Sequence, residues 1–300
     1  MGTQEKNPLS LPFHVDAITL QGGRDHQEDR WTVHTFDPPY EHLYLFVVCD
    51  GHGGHACSDF CIRSFPAAVA DTLRRRRSPS PRLDTILKEA VATTVADWDT
   101  FCFGPGVHRT IVDEATRRDF FARTNMADYE RDGKDSGCTL TGFMFDANTR
   151  RICIVNLGDS RTALFFPRSK RIVTSLDHGV QKTVEKGPFR AWVSEDGRLC
   201  DDLALARAVG DNTELLTGVV GREPDVYKET VPRNDTCTAV VASDGLWDNY
   251  TLAECFLEDR ASAADFIADK HGEAAFDDNV TIILVKVPTA PPTTPTSSTT

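Results

Sequence analysis

The chain has 300 residues, 40% of them hydrophobic and 26% charged, and a formal net charge of −12. That length can bury a sizeable core, while the acidic balance argues against non-specific nucleic-acid binding and repels anionic substrates at long range. Any phosphate chemistry here therefore needs a local positive centre.

Residues 14–20 alternate loosely and suit a first strand, which Gly22-Gly23 break. A dense charged stretch, Arg24 to Arg30, leads into a second strand over 31–35. The run Tyr44-Leu45-Phe46-Val47-Val48-Cys49 reads as a buried strand, being short, rich in β-formers and closed by a glycine cluster. It stops at Asp50-Gly51-His52-Gly53-Gly54. Residues 55–77 carry apolar side chains at turn spacing and predict a helix that Pro66 should bend or interrupt. Arg74–Arg77 with Ser78-Pro79-Ser80-Pro81 resembles a localisation signal or phosphorylation target, but arginines are also what the dipole at a helix C-terminus favours.

A second helix is expected over 83–101 and a third over about 112–129, then a polar turn over 131–136. From there the pattern changes to strands at 138–145, 152–157, 162–166 and 172–175, with Asn148-Thr149 supplying a hairpin turn. Residues 179–201 have no clear period, and Leu203–Val209 suits a short helix or strand. A strong strand at 236–242 runs into Asp244, a helix lies within 251–270, and the final strand is 280–287. Domain organisation follows: an N-terminal extension (1–13), one folded domain (14–287) and a Pro/Thr/Ser tail (288–300) too polar to fold.

No apolar run is long enough to span a bilayer, and residues 1–13 lack the apolar segment of a secretory signal. Lys6 stands where the Met1-Gly2 myristoylation motif wants Ser or Thr. The nine cysteines are odd in number and scattered, and Cys57 and Cys61 are a helical turn apart rather than a Cys-x-x-Cys pair. The spacing suggests neither zinc nor a disulfide framework, so reduced cysteines acting as small hydrophobes, in a cytosolic or nuclear compartment, are expected.

Acids recur where an apolar strand meets a loop: Glu28-Asp29, Asp50, Asp159, Asp244 and Asp278. Each alone could be a turn residue or helix cap. If these ends converge, two carboxylates about 4 Å apart repel by about 4 kcal/mol at an effective dielectric of 20, and the set needs cations. All-oxygen ligands select hard ions, Mg²⁺ or Mn²⁺, over zinc. Two such ions bridged by one carboxylate activate water for in-line attack on phosphorus.

The motifs, in order, are Arg24-x-x-x-Glu28-Asp29, Asp50-Gly51-His52-Gly53-Gly54, Ser136-Gly137-Cys138-Thr139, Asn156-x-Gly158-Asp159-Ser160-Arg161, Asp177-His178, Leu203 to Gly210-Asp211, Ser243-Asp244-Gly245-Leu246-Trp247-Asp248 and Asp278-Asn279-Val280-Thr281. With them the chain resembles the metal-dependent protein serine/threonine phosphatases of the PP2C type, over about residues 14–287. The resemblance implies an α+β, four-layer α-β-β-α sandwich: two packed antiparallel sheets flanked by helices, with the metals in a cleft at one end. It implies that Asp50 bridges two Mg²⁺ or Mn²⁺ ions. Asp244 and Asp278 would complete one ion's shell and the Gly51 carbonyl would serve the other, with Glu28 and Asp29 acting directly or through water. Asp159 and Asp248 match positions linked to a third, weaker ion. Arg24 would bind the substrate phosphate and His52 would protonate the leaving oxygen. Phosphoproteins are the implied substrates, with neither nucleic acid nor membrane as partner, and nothing in the sequence demands more than a monomer.

Two other functions stand beside this one: a catalytically inactive relative acting as a binding module, and a metallohydrolase for small phosphate esters. The chain departs from the family's pattern after Asp177-His178, where Gly179-Val180 replaces Lys-Pro. A further departure is at Glu185 to Arg190, in the segment leading to the flap that bears on substrate choice.

Overall fold

A computed structural model describes residues 3–6, 11–78, 80–103, 136–180, 193–194, 198–199, 203–211, 219–270 and 272–290. The helix expected over 112–129, the turn over 131–135, the divergent stretch 185–190 and the tail beyond residue 290 lie outside them. The chain enters through β1 (Thr3–Lys6), β2 (His14–Leu20), β3 (Arg30–Thr35), β4 (Leu43–Cys49) and the short β5 (Gly51–His52). Two long helices follow, α1 (Ala56–Arg76) and α2 (Leu83–Phe103). Next come β6 (Gly137–Cys138), β7 (Leu140–Asp146), β8 (Arg151–Leu157), β9 (Arg161–Phe166), β10 (Arg171–Thr174), β11 (Asp225–Thr230) and β12 (Cys237–Ala242). Three short helices, α3 (Asp244–Trp247), α4 (Leu252–Cys255) and α5 (Ala264–Asp269), precede β13 (Val280–Val287).

The strands form two antiparallel sheets, β1-β2-β13-β12-β9-β10 and β11-β8-β7-β4-β3, with β5-β6 as a separate pair. Their layering follows from the two-residue period of a strand. On β4, Leu45, Val47 and Cys49 face the α1/α2 layer, while Phe46 and Val48 face the other sheet. On β12, Ala239 and Val241 enter the core between the sheets, and Val240 and Ala242 pack under α3 to α5. A strand covered on both faces has no polar side to display, hence the unbroken apolar runs. The result is the four-layer α-β-β-α sandwich.

The pairing also decides where the acids go. Arg30 is opposite Cys49, Thr141 opposite Val48 and Leu157 opposite Leu140. In the other sheet Ala242 is opposite both Ile282 and Arg161, and Val280 is opposite Leu20. Antiparallel pairing therefore brings the end of β4, the start of β3, the β8–β9 turn, the end of β12 and the start of β13 to one pole.

Pro66 neither interrupts α1 nor reaches solvent; it lies buried within a continuous helix. Packing against the sheet outweighs the one backbone donor it lacks. Arg74, Arg75 and Arg76 form the last turn of α1, where Arg74 pairs with Asp71 and Arg76 with Glu89. The helix expected within 251–270 is two short ones, α4 and α5, and Leu203–Val209 makes only isolated bridges. The single strand expected over 138–145 is β6 and β7, in separate sheets, and three strands were not legible, the two-residue β5 among them. β1 adds residues of the N-terminal extension to the edge of a sheet. β11 is a half-exposed edge strand whose Asp-Val-Tyr-Lys-Glu-Thr sequence lacks an apolar alternation. No helix among the described residues is long and apolar enough to cross a membrane.

Candidate active site

Asp50 leaves β4 at the floor of the polar cleft. Its N–H donates to the Thr139 hydroxyl at 3.0 Å, and its carbonyl accepts the Thr139 N–H at 2.8 Å. Thr139 is itself held by Ser160 at 2.7 Å. Gly51 pairs with Cys138 in the β5–β6 ribbon, and a Cβ there would lie 2.6 Å from the Glu28 carbonyl, so only glycine fits. That carbonyl accepts the Ser58 hydroxyl at 2.6 Å, and the Glu28 N–H donates to Asn279 at 2.8 Å. The backbone of Glu28 is thus pinned between α1 and the start of β13.

Asp29 is buried. The Ser243 hydroxyl donates to its Oδ2 at 2.8 Å, while its Oδ1 has no hydrogen-bond partner. Ser243 also binds the Thr281 N–H at 2.9 Å, which ties β12 to β13 directly beneath Asp244 and Asp278. Gly245 lets α3 approach β13, since a Cβ there would meet the Asn279 carbonyl at 2.1 Å. Asp248 closes α3 one turn after Asp244.

Asp159 sits on a turn braced from several sides. The Asn156 amide donates to the Gly158 carbonyl at 3.1 Å, the Gly158 N–H donates to His178 Nδ1 at 3.0 Å, and Arg161 is paired with Asp177.

The electrostatics register the convergence. Burial drives the Asp50 carboxyl well above its ordinary range, and Asp29, Asp244 and Asp159 push it the same way. Burial takes Asp29 up to about 7, opposed by the Ser243 and Thr281 hydroxyls and reinforced by Asp244. Asp159 is also pushed up to about 7, first by burial and then by Asp244. Burial raises Asp244, with Asp278 and Asp248 adding and Arg24 opposing. Burial and Asp278 raise Asp248, against the pull of Arg161. Like charges at such range disfavour one another's ionisation. Arg24 answers from the rim, its Nη2 2.5 Å from Asp278 Oδ2.

Of the acids expected to meet from separate strand ends, Asp29, Asp50, Asp159, Asp244 and Asp278 act on one another, with Asp248 from the end of α3 beside them, while Glu28 is placed here only through its backbone contacts. The donor set is all oxygen, and a buried carboxylate oxygen of Asp29 lacks a proton donor. Both fit hard divalent cations.

His52 stands at the edge of the acid cluster, near enough to Asp159 to oppose, weakly, the rise that burial and Asp244 impose on it. Its Nε2 lies 2.6 Å from Asp211 Oδ1. Asp211 is buried and has a left-handed backbone, φ 50°. The sequence offered Asp211 only as the end of a motif. Its partnership with His52 is 159 residues away in the chain and leaves no local pattern. Gly137 is explained by the same pair: a Cβ there would lie 2.3 Å from His52 Nε2 and 2.4 Å from Asp211 Oδ1. Thr139 and Ser243 likewise stood in motifs without roles, and their roles are to hold the backbone and carboxylates of the acids.

Comparison with known proteins agrees with this geometry. The sequence profile of the family described as "Protein phosphatase 2C" matches residues 13–270. "Protein phosphatase 1L" of Bos taurus is 25% identical over 288 residues, covering 91% of this chain and 72% of that protein. "Probable protein phosphatase 2C 59" of Oryza sativa subsp. japonica is 26% identical, covering 91% and 76%. Among solved structures, the serine-threonine phosphatase 2C from Toxoplasma gondii superposes with a TM-score of 0.63 at 18% identity, covering 96% of this chain and 99% of that one. The Mycobacterium tuberculosis serine/threonine phosphatase PstP/Ppp gives 0.55 at 20% identity, covering 92% and 98%. With the profile spanning most of the chain and the acids gathered at one pole, the chain belongs to the protein phosphatase 2C family of metal-dependent protein phosphatases.

Proposed function

We propose that this chain hydrolyses phosphoserine and phosphothreonine esters in proteins, without a covalent phosphoenzyme. The observation that carries this reading is the convergence of Asp29, Asp50, Asp159, Asp244 and Asp278 beside Arg24 and the His52–Asp211 pair. Two Mg²⁺ or Mn²⁺ ions would be held by Asp50 as the shared ligand, with Asp244 and Asp278 on one side and the Gly51 carbonyl on the other. Glu28 and Asp29 would support them directly or through water, and Asp159 and Asp248 would serve a third, weaker ion. When bound, these cations neutralise the crowded acids, lower the pKa of water to give a nucleophile at neutral pH and polarise the phosphoryl group.

The chain's own residues supply the rest. Arg24 presents a planar fork suited to two phosphate oxygens. It is largely exposed and already oriented over the cleft by Asp278. His52 protonates the leaving serine or threonine oxygen, which is otherwise a poor alkoxide. An ionised Asp211 carboxylate can only accept, so with it the short contact is one in which the imidazole Nε2–H donates, and Asp211 orients the ring. No thiol is needed as nucleophile, and the described cysteines are buried.

The test is hydrolysis of a phosphopeptide panel and of small phosphate esters, each with Mg²⁺, with Mn²⁺ and with EDTA. Metal-dependent turnover of phosphopeptides, abolished by EDTA, is the expected result. Turnover confined to small esters would replace the substrate class. A folded chain that binds no Mn²⁺ and turns over nothing would be a binding module.

A further inference from the structure

Four buried cysteines lie under the floor of the cleft. Cys57 and Cys61 stand one turn apart on the same face of α1, Cys138 is in β6, and Cys49 ends β4 next to Asp50. All are fully excluded from solvent. The sulfurs of Cys57, Cys61 and Cys138 all lie within 4.8 Å of one another. The Cys57 and Cys138 sulfurs are 3.5 Å apart, and the Cys49 thiol contacts those of Cys138 and Cys61. We propose that Cys57, Cys61 and Cys138, with the Cys49 thiol beside them, form a three-thiolate binding site for one thiophilic divalent cation of the zinc and cadmium class, distinct from the oxygen site above it.

The dimensions fit. A tetrahedral zinc–thiolate centre with bonds of about 2.3 Å has sulfur–sulfur edges of roughly 3.8 Å. The three mutually close sulfurs outline one face of such a tetrahedron, and Cys49 lies beside one edge of it. Packing alone accounts for a buried cysteine as a small hydrophobe; it gives no reason for four of them, from three separate segments, to turn their sulfurs toward one another. Chain spacing hid the site because only Cys57 and Cys61 are neighbours in sequence.

Donor chemistry keeps the two sites apart. Thiolates select soft or borderline d¹⁰ ions, whereas carboxylates suit Mg²⁺ and Mn²⁺. Binding through the three cysteines exchanges three thiol protons for one dication and leaves one net negative charge. The ion would tie α1 to the β6 segment that leads to Thr139, beside the end of β4 that carries Asp50. Its effect would be to stiffen the floor of the cleft rather than to take part in hydrolysis. Because the sulfurs are buried, the ion would enter during folding.

The experiment refolds the reduced full-length chain in excess Mg²⁺ with one equivalent of ¹¹³Cd²⁺. The readouts are the ultraviolet sulfur-to-cadmium charge-transfer band, the ¹¹³Cd resonance and the melting temperature. One equivalent bound with a charge-transfer band, a resonance shifted downfield into the range of three or four thiolates, and a raised melting temperature are expected. The Cys57→Ala/Cys138→Ala variant should lose the band and the rise. Folded wild-type chain with no band, or with a resonance in the oxygen-ligand range, overturns the proposal, as does a band of full intensity in the folded double variant. If the double variant fails to fold, the wild-type resonance alone decides, since it counts the thiolates.

Discussion

Acids end strands at both poles of this sandwich, and they are treated differently. At the pole opposite the cleft, Asp146 closes β7 and its carboxylate is taken up by its own turn. It accepts the N–H groups of Asn148 and Thr149 at 3.0 and 3.1 Å and the Thr149 hydroxyl at 2.6 Å. Asp235 likewise accepts the N–H groups of Arg168 and Thr236 at 3.2 and 2.9 Å. These are aspartates as turn-makers, satisfied by backbone N–H groups of their own turn or, for Asp235, also of the neighbouring β9–β10 turn. At the cleft, Asp29, Asp50 and Asp244 face one another, and an oxygen of Asp29 is left without a donor. Sequence context alone does not separate the two kinds, since all follow or precede apolar strands. What separates them is whether the carboxylate faces backbone N–H donors of turns or another carboxylate.

The largest expected effect breaks the cleft side of this comparison. Asp50→Ala or Asp244→Ala should lower metal-dependent phosphopeptide turnover by several orders of magnitude, because each takes away a carboxylate proposed above to hold the ions. The same substitutions should leave the melting temperature of the chelated protein unchanged or raised, since each removes one of several like charges held close together. Full activity in both variants would disprove the assignment of the acids.

Next in size is His52. His52→Gln should slow hydrolysis of phosphoserine peptides by about 10²- to 10⁴-fold, the usual contribution of a general acid. An aryl phosphate, whose leaving oxygen is already stable as an anion, should be affected much less. Equal losses on the two substrates would show that His52 serves binding or structure instead.

Asp146→Ala sharpens the comparison from the other pole. It should cost about 1–2 kcal/mol of stability, as loss of a capping aspartate does, and leave turnover unchanged. A loss of activity there would mean that the poles are not independent.

Most of the architecture was legible because burial on both faces writes unbroken apolar runs into β4, β7, β8, β12 and β13. The edge strands were not, because β11 lies half in solvent, where apolar content is not enforced. Pro66 misled because local propensity is weaker than the packing of a long helix on a sheet. At the site, the acids were readable from their place at strand ends. The groups that hold them were not: Thr139 under Asp50, Ser243 under Asp29 and Asp211 behind His52 act across separations of 89, 214 and 159 residues.

The smallest expected effect concerns His178, which joins the two kinds of acid contact. Its Nδ1 accepts the Gly158 N–H at 3.0 Å, which fixes that nitrogen as unprotonated, and its Nε2 lies 3.1 Å from Asp225 Oδ2. Burial lowers its pKa below the ordinary histidine value of 6.5, more than Asp225 raises it. A proton on Nδ1 would also have to displace the Gly158 N–H. The unfolded chain therefore binds a proton that the folded chain refuses, and stability falls as pH drops below 6.5 toward the lowered folded value. Substituting His178→Asn should remove this pH dependence from denaturant midpoints measured between pH 7.5 and about 5. Because Gly158 precedes Asp159, the same acid titration should loosen the turn that carries that carboxylate, while Asp146 at the far pole keeps its contacts. Identical pH profiles for the wild-type chain and His178→Asn would show that the neutral imidazole is not what holds the turn.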